Sequence, residues 1–305
     1  MRLKPGRPDL SAYSDLFDVP RATGDVSVRF AGVSTLLLDD GTSAVLTDGF
    51  FSRPSLLRVG LGRVAPDGAR IDAALARLAP SRVEAVVPVH GHFDHAMDSA
   101  VVAQRTGAVL AGSGSAANVG RGAGLPEDRL HVVTPGEPTT YGGWTLTFVV
   151  SDHCPPDRFP GTIDEPVRPP VKASAYRCGE AWSILVSHAS GRRALVQGSA
   201  GFVPGSLDGH RAEVAYLGVG QLGVLDEAYL VDYWTHTVRA VGASRVVLTH
   251  WDDFFRGLDA PQRALPYAGD DLDVTVRVLR RLAADDGVVL HLPTLWERED
   301  PWSGL

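Results

Sequence analysis

Residues 85–98 read Ala85-Val86-Val87-Pro88-Val89-His90-Gly91-His92-Phe93-Asp94-His95-Ala96-Met97-Asp98. The first five form a continuous apolar run of strand length, and a polar cluster follows at once. From Asp94 the pattern DHAMDSAVVAQRTG takes helical spacing and stops at Gly107. The histidine cluster therefore falls on a loop between a strand and a helix. In layered α/β proteins the carboxyl end of a strand is where chemistry is usually placed. A chance match to His-x-His-x-Asp-His in a chain of this composition is on the order of 10⁻³. Imidazole and carboxylate donors together suit zinc, with iron or manganese next. A solvated polar loop is the bland alternative, and it gives an apolar strand no reason to deliver three histidines and an aspartate.

Working outward, Val26–Ala31, Thr35–Leu38 and Ser43–Thr47 read as three strands, with Asp40-Gly41 as a hairpin turn. Ile71–Leu78 has helical spacing, and Ala108–Leu110 is a further strand. Later strands are expected at His131–Val133, Thr145–Val150, Trp182–Ser187, Ala194–Gln197 and Val214–Val219. Asp226 caps a helix that closes at Gly242, Arg245–Thr249 is a strand, Leu272–Ala284 a helix and Val288–Leu290 a last strand. Six prolines between residues 155 and 170 read as a long ordered loop rather than an interdomain linker. This alternation predicts one α/β domain over residues 26–305, preceded by an N-terminal extension at 1–25.

The chain has 305 residues, 44% hydrophobic and 21% charged, which fits a globular protein and excludes fibrous and disordered classes. No apolar run reaches the ~18–20 residues of a membrane span, and MRLKPGRPDLSAYSDLFDVP has no apolar leader core. Two cysteines, Cys154 and Cys178, are too few for a disulfide framework. Together these features lead us to expect a cytoplasmic location. A formal net charge of −7 offers no general attraction to phosphate backbones, so nucleic acid is not an expected partner. Of the basic residues only Lys4 and Lys172 are lysines, which reads as genome composition rather than function.

The segment VVPVHGHFDHAMD resembles the metal-binding motif of the metallo-β-lactamase-fold hydrolases, and the resemblance runs from about residue 26 to 291. It implies an αββα four-layer sandwich. It also implies two further ligands from later strand ends, matched here by His153 and His250. Carried over residue by residue, one site takes His90, His92 and His153, and a second takes Asp94, His95 and His250. Asp48 matches a buried acid that supports the cluster by accepting the spare N–H of a ligand imidazole. A strand-end turn is its plainer role. Three neutral imidazoles with a vacant fourth position bring the pKa of a bound water toward ~7, which supplies hydroxide at neutral pH. Asp94 would have the catalytic task of orienting it. His131, His188, His210, His236 and His291 lack partners at ligand spacing, and Cys154 reads as structural.

The family commonly supplies a bridging aspartate from a Gly-Asp-Thr-Gly type segment. Here Gln197-Gly198-Ser199-Ala200-Gly201 puts Ser199 at that position, and a hydroxyl is a poor neutral ligand. The expectation is therefore one tightly held zinc and a second, weaker ion. Within the fold, the opening AGVSTLLLDDGTSAVLTDGF, the segment His153-Cys154-Pro155-Pro156-Asp157-Arg158 and Leu217–Gly220 resemble the branch of UlaG-type lactonases and N-acyl phosphatidylethanolamine phospholipase D. Arg158 is then a candidate to bind a substrate phosphate or carboxylate, or else an ordinary loop arginine. The expected function is a metal-dependent hydrolase that uses zinc-bound hydroxide on a small-molecule ester, lactone or phosphodiester. The alternative is a non-hydrolytic member of the fold, either a Lewis-acid biosynthetic enzyme or a metal-binding protein that has lost hydrolysis.

Overall fold

A computed structural model describes residues 4–305 of the chain. Its first sheet holds β1 (Ser27–Phe30), β2 (Leu36–Asp39), β3 (Ser43–Thr47), β4 (Arg82–Val87), β5 (Val109–Gly112) and β6 (Leu130–Val132), in that spatial order. The first three strands pair antiparallel, and β3 through β6 pair parallel. The second sheet runs β13 (Val289–His291), β12 (Arg245–Thr249), β11 (Val214–Gly218), β10 (Arg193–Gln197), β9 (Ala181–His188), β8 (Trp144–Ser151) and β7 (Pro138–Tyr141).

Side-chain alternation decides the layering. Leu36, Leu38, Val45, Ala85 and Val87 join Trp144, Phe148, Ile184, Val196 and Tyr216 in one core between the sheets. Leu37, Leu46 and Val86, one residue out of step, face the opposite side and pack with helices α2 (Gly68–Leu78), α4 (Ser99–Thr106) and α5 (Gly114–Gly122). Helices α6 (Glu227–Trp234) and α7 (Leu272–Asp286) bury Leu230, Trp234, Leu279 and Leu282 in one cluster with Leu195, Ala215 and Val246, which are one residue out of step and face the outer side of the second sheet. Each sheet is buried on both faces, which explains its continuous apolar strands. The result is the αββα order that the resemblance implies. Tyr13, Leu16 and Val19 of the N-terminal segment also belong to this apolar cluster, with Tyr13 hydrogen-bonded to Asp273 of α7. No described helix is long and apolar enough to cross a membrane.

Several boundaries differ from the sequence expectation. The single helix expected from Asp94 to Gly107 is two helices, α3 (Phe93–Ala96) and α4, separated at Met97-Asp98. The buried Asp98 carboxylate accepts the Phe51 and Ser52 N–H groups and the Ser52 hydroxyl, a tertiary contact that accompanies the break. Helices α1 (Leu56–Leu61) and α5 and strand β7 were not expected. The helix capped by Asp226 continues past Trp234 as a π-helical turn, Thr235–Arg239.

Candidate metal centre

Strand direction explains why distant residues meet. Strands β8, β10 and β12 all run the same way, because β9 is antiparallel to both β8 and β10, while β10, β11 and β12 are parallel. Their carboxyl ends therefore share one edge. His153 follows β8, Ser199 follows β10 and His250 follows β12. In the first sheet the parallel pair β3 and β4 brings Asp48 and the His90–His95 loop to one end. Val89 links the two sheets, since its carbonyl accepts the N–H of Trp182. Gly91 lets the loop close. A Cβ there would lie 2.3 Å from the carbonyl oxygen of Arg177, and its own N–H donates to the Cys178 carbonyl at 2.6 Å.

Two sets of three donors result, His90/His92/His153 and Asp94/His95/His250, with the ligand atoms of each set within 4.8 Å of one another. The ring centroids of His90 lie 4.8 Å from His92, 4.9 Å from His153 and 4.0 Å from His95, and His95 lies 5.1 Å from His250.

Hydrogen bonds select the nitrogen that three of the five rings present. His153 Nδ1 donates to the Cys154 carbonyl at 2.7 Å, which leaves Nε2 bare. His92 Nε2 lies 3.1 Å from Asp157 Oδ1, so its proton is held there and Nδ1 is the lone pair. That Nδ1 stands 3.1 Å from His90 Nε2. Two donors about 2.05 Å from one tetrahedral ion would be about 3.3 Å apart. His95 Nδ1 donates to Asp48 Oδ2 at 2.8 Å, while the other Asp48 oxygen accepts the Val89 N–H. This leaves His95 Nε2 buried without a hydrogen bond among the described residues, 3.7 Å from Asp94 Oδ2. A bare acceptor there costs about 1–3 kcal/mol unless a cation meets it. His250 Nε2 lies 3.4 Å from Asp94 Oδ2. The donor set fits divalent metals.

Electrostatics separates the two sets. Burial, reinforced by the neighbouring imidazoles, drives His90 well below its ordinary pKa; burial also lowers His92 and pushes His153 down to about 4. The first set is thus neutral and ready to donate. Burial opposes the charge on Asp94, but His95 and His250 outweigh it and keep the carboxyl well below the usual range. Burial also opposes charge on His95, and Asp48 and Asp94 more than offset it, so its pKa rises. Three non-glycine residues at this edge, Val33, Asp48 and His250, adopt left-handed backbones with φ of 52°, 52° and 60°. The His250 N–H donates to the Val33 carbonyl, and Asp252, in a buried ion pair with Arg53, accepts the Val33 N–H.

Other expected site residues lie elsewhere. Arg158 is exposed and makes no hydrogen bond or ion pair among the described residues, so it is not drawn to the donors. The Ser199 hydroxyl accepts the Cys154 N–H at 3.0 Å. Gln197 is occupied structurally: its Oε1 accepts from Ser183, and its Nε2 donates to Ser151 and to the Ser199 and Gly201 carbonyls. The Cys154 thiol is pushed up to about 12 by burial, in keeping with a structural role. Sequence reasoning missed Asp157 and Cys178, which with His92 form a third close group. Asp157 stands four residues after His153 within a quoted segment, and no spacing rule marks it.

Residues 28–175 match the family model described as the metallo-beta-lactamase superfamily. No curated protein matches the chain by sequence. Among solved structures the chain is similar to a metallo hydrolase from the hyperthermophilic archaeon Ignicoccus hospitalis, with 15% identity and a TM-score of 0.52 over 90% of this chain and 96% of that one. It is similar also to a possible metal-dependent hydrolase from Veillonella parvula, with 13% identity and a TM-score of 0.54 over 90% and 99%. A third likeness is to a diiron beta-hydroxylase from Streptomyces venezuelae, with 13% identity and a TM-score of 0.55 over 91% of this chain and 54% of that one. At these identities the likeness establishes the fold.

Proposed function

We propose that this chain, whose residues 28–175 match the metallo-beta-lactamase superfamily, is a zinc-dependent hydrolase of a small-molecule ester, lactone or phosphodiester. The observation that carries this reading is the pair of three-donor sets, one wholly imidazole and one with a carboxylate. A bound divalent ion would lower the pKa of a coordinated water and polarise a carbonyl or phosphoryl oxygen. His90, His92 and His153 would hold the tighter ion, with Cys154 and Asp157 fixing two of the rings. Asp94, ionised beside His95 and His250, would orient the attacking water and accept its proton. Asp48 keeps the lone pair of His95 directed away from itself. Ser199, engaged with the Cys154 N–H, contributes no carboxylate, so the second ion should bind more weakly.

The same serine is the one observation favouring a non-hydrolytic member of the fold, in which a single ion acts as a Lewis acid. Elemental analysis after exhaustive dialysis, joined to a screen of chromogenic esters, lactones and bis(p-nitrophenyl) phosphate, separates the readings. Turnover that vanishes in His92→Ala supports a hydrolase. A fully metallated protein inert toward all three classes refutes it.

A further inference from the structure

A cavity of about 560 Å³ opens beside the first donor set, with His153 and Asp157 in its wall. That volume suits a small organic ligand. Trp182, Phe202 and Tyr229 supply aromatic surface, and the Phe202 and Tyr229 rings stand 5.4 Å apart. The charged part of the wall is Asp152, Asp157 and Glu180, and no described lysine or arginine lines it. Asp157 is engaged by His92. Asp152 and Glu180 are exposed and make no ion pair or side-chain hydrogen bond among the described residues. Aromatic faces combined with uncompensated carboxylates attract organic cations. A phosphodiester or carboxylate entering the same space would meet three like charges. Arg158, the residue expected to offset them, is not in the wall.

We propose that this cavity receives the non-reacting part of a cationic ester or lactone, one carrying an ammonium or quaternary ammonium group. The proposal rests on the hydrolase reading and narrows its substrate class. The holoprotein is titrated calorimetrically with phenyltrimethylammonium and with benzenesulfonate. Hydrolysis of acetylcholine, its neutral isostere dimethylbutyl acetate and the anionic acetoxypropanesulfonate is then followed by pH-stat. The cationic probe should bind at least about tenfold more tightly than the anion, and kcat/KM should fall from cation to neutral to anion by a similar factor at each step. In the double variant Asp152→Asn/Glu180→Gln the cation-to-neutral ratio should shrink to within about threefold. Equal handling of the three esters, preference for the anion, or an undiminished cation preference in the double variant overturns the proposal. Tight cation binding by a fully metallated protein that hydrolyses none of these esters, and none of the lactones or phosphodiesters of the wider screen, leaves the cavity's preference standing and overturns the hydrolase reading instead.

Discussion

Replacing Gly220 with alanine should disable the second donor set without altering any ligand. The added Cβ would stand 2.7 Å from His250 Nδ1, 3.0 Å from Cε1 and 3.1 Å from Cγ. Ordinary contact needs about 3.5 Å, so the ring must retreat by about 0.8 Å. Metal–ligand bonds tolerate roughly 0.2 Å. The ring has little freedom, since Phe254 packs edge-on at 5.5 Å and the backbone N–H is held by Val33. Misplacing one ligand of three should weaken the second ion by at least about tenfold to a hundredfold. The first set, which His250 does not join, should be unaffected. Calorimetric titration of zinc into chelator-treated protein measures both equivalents, and a thermal melt checks the fold. His250→Ala should give the same defect, and the double variant should be no worse, because both changes act on one ligand. Two equivalents bound as tightly as in the parent, in a folded Gly220→Ala protein, would refute the steric argument.

His92→Ala should cut turnover by more than about a hundredfold, while His131→Ala, whose ring bonds Tyr141, should keep it within about threefold; similar losses in both would mean the donor assignment is wrong. Ser199→Asp should add a second tightly held metal equivalent on elemental analysis after dialysis, by returning a negative charge near the paired sites. Two retained equivalents in the unmodified protein would show that the serine does not weaken the second site. The metal-free protein should lose stability between about pH 6.5 and 4. His153 stays neutral in the fold down to about 4, while the unfolded chain takes up its proton near 6.5. Its contribution is therefore complete above the unfolded pKa and is lost as pH falls. Melting temperatures of His153→Ala across this range should show a shallower dependence; an identical slope would count against the assignment.

Much of the centre is readable from short spans of chain. His90, His92, Asp94 and His95 lie within one loop and helical turn, so their proximity follows from local geometry. Asp226 as a cap and Asp40-Gly41 as a turn are equally local, and both occur where expected. The expectations fail where distant contacts decide. Helix α5, GSAANVGRG, has glycine at three of its nine positions, which disfavours a helix locally, and becomes helical against β5 and β6. Strand β7, PTTY, is a strand because it pairs with β8 at the sheet edge. The break at Asp98 follows a carboxylate shared with residues almost fifty positions earlier.

The sequence by itself determined the strand–loop–helix unit, the donor types and their chemical preference for a divalent metal, because these depend on neighbours within a few residues. Tertiary structure alone decided that His153 and His250 join that loop, since this depends on the relative direction of β8, β10 and β12. It also decided which imidazole nitrogen His153, His92 and His95 present, through Cys154, Asp157 and Asp48. Finally, it left Arg158 in solvent and lined the adjoining cavity with carboxylates, because a loop's side chains take their positions from the surfaces they cross and not from their spacing along the chain.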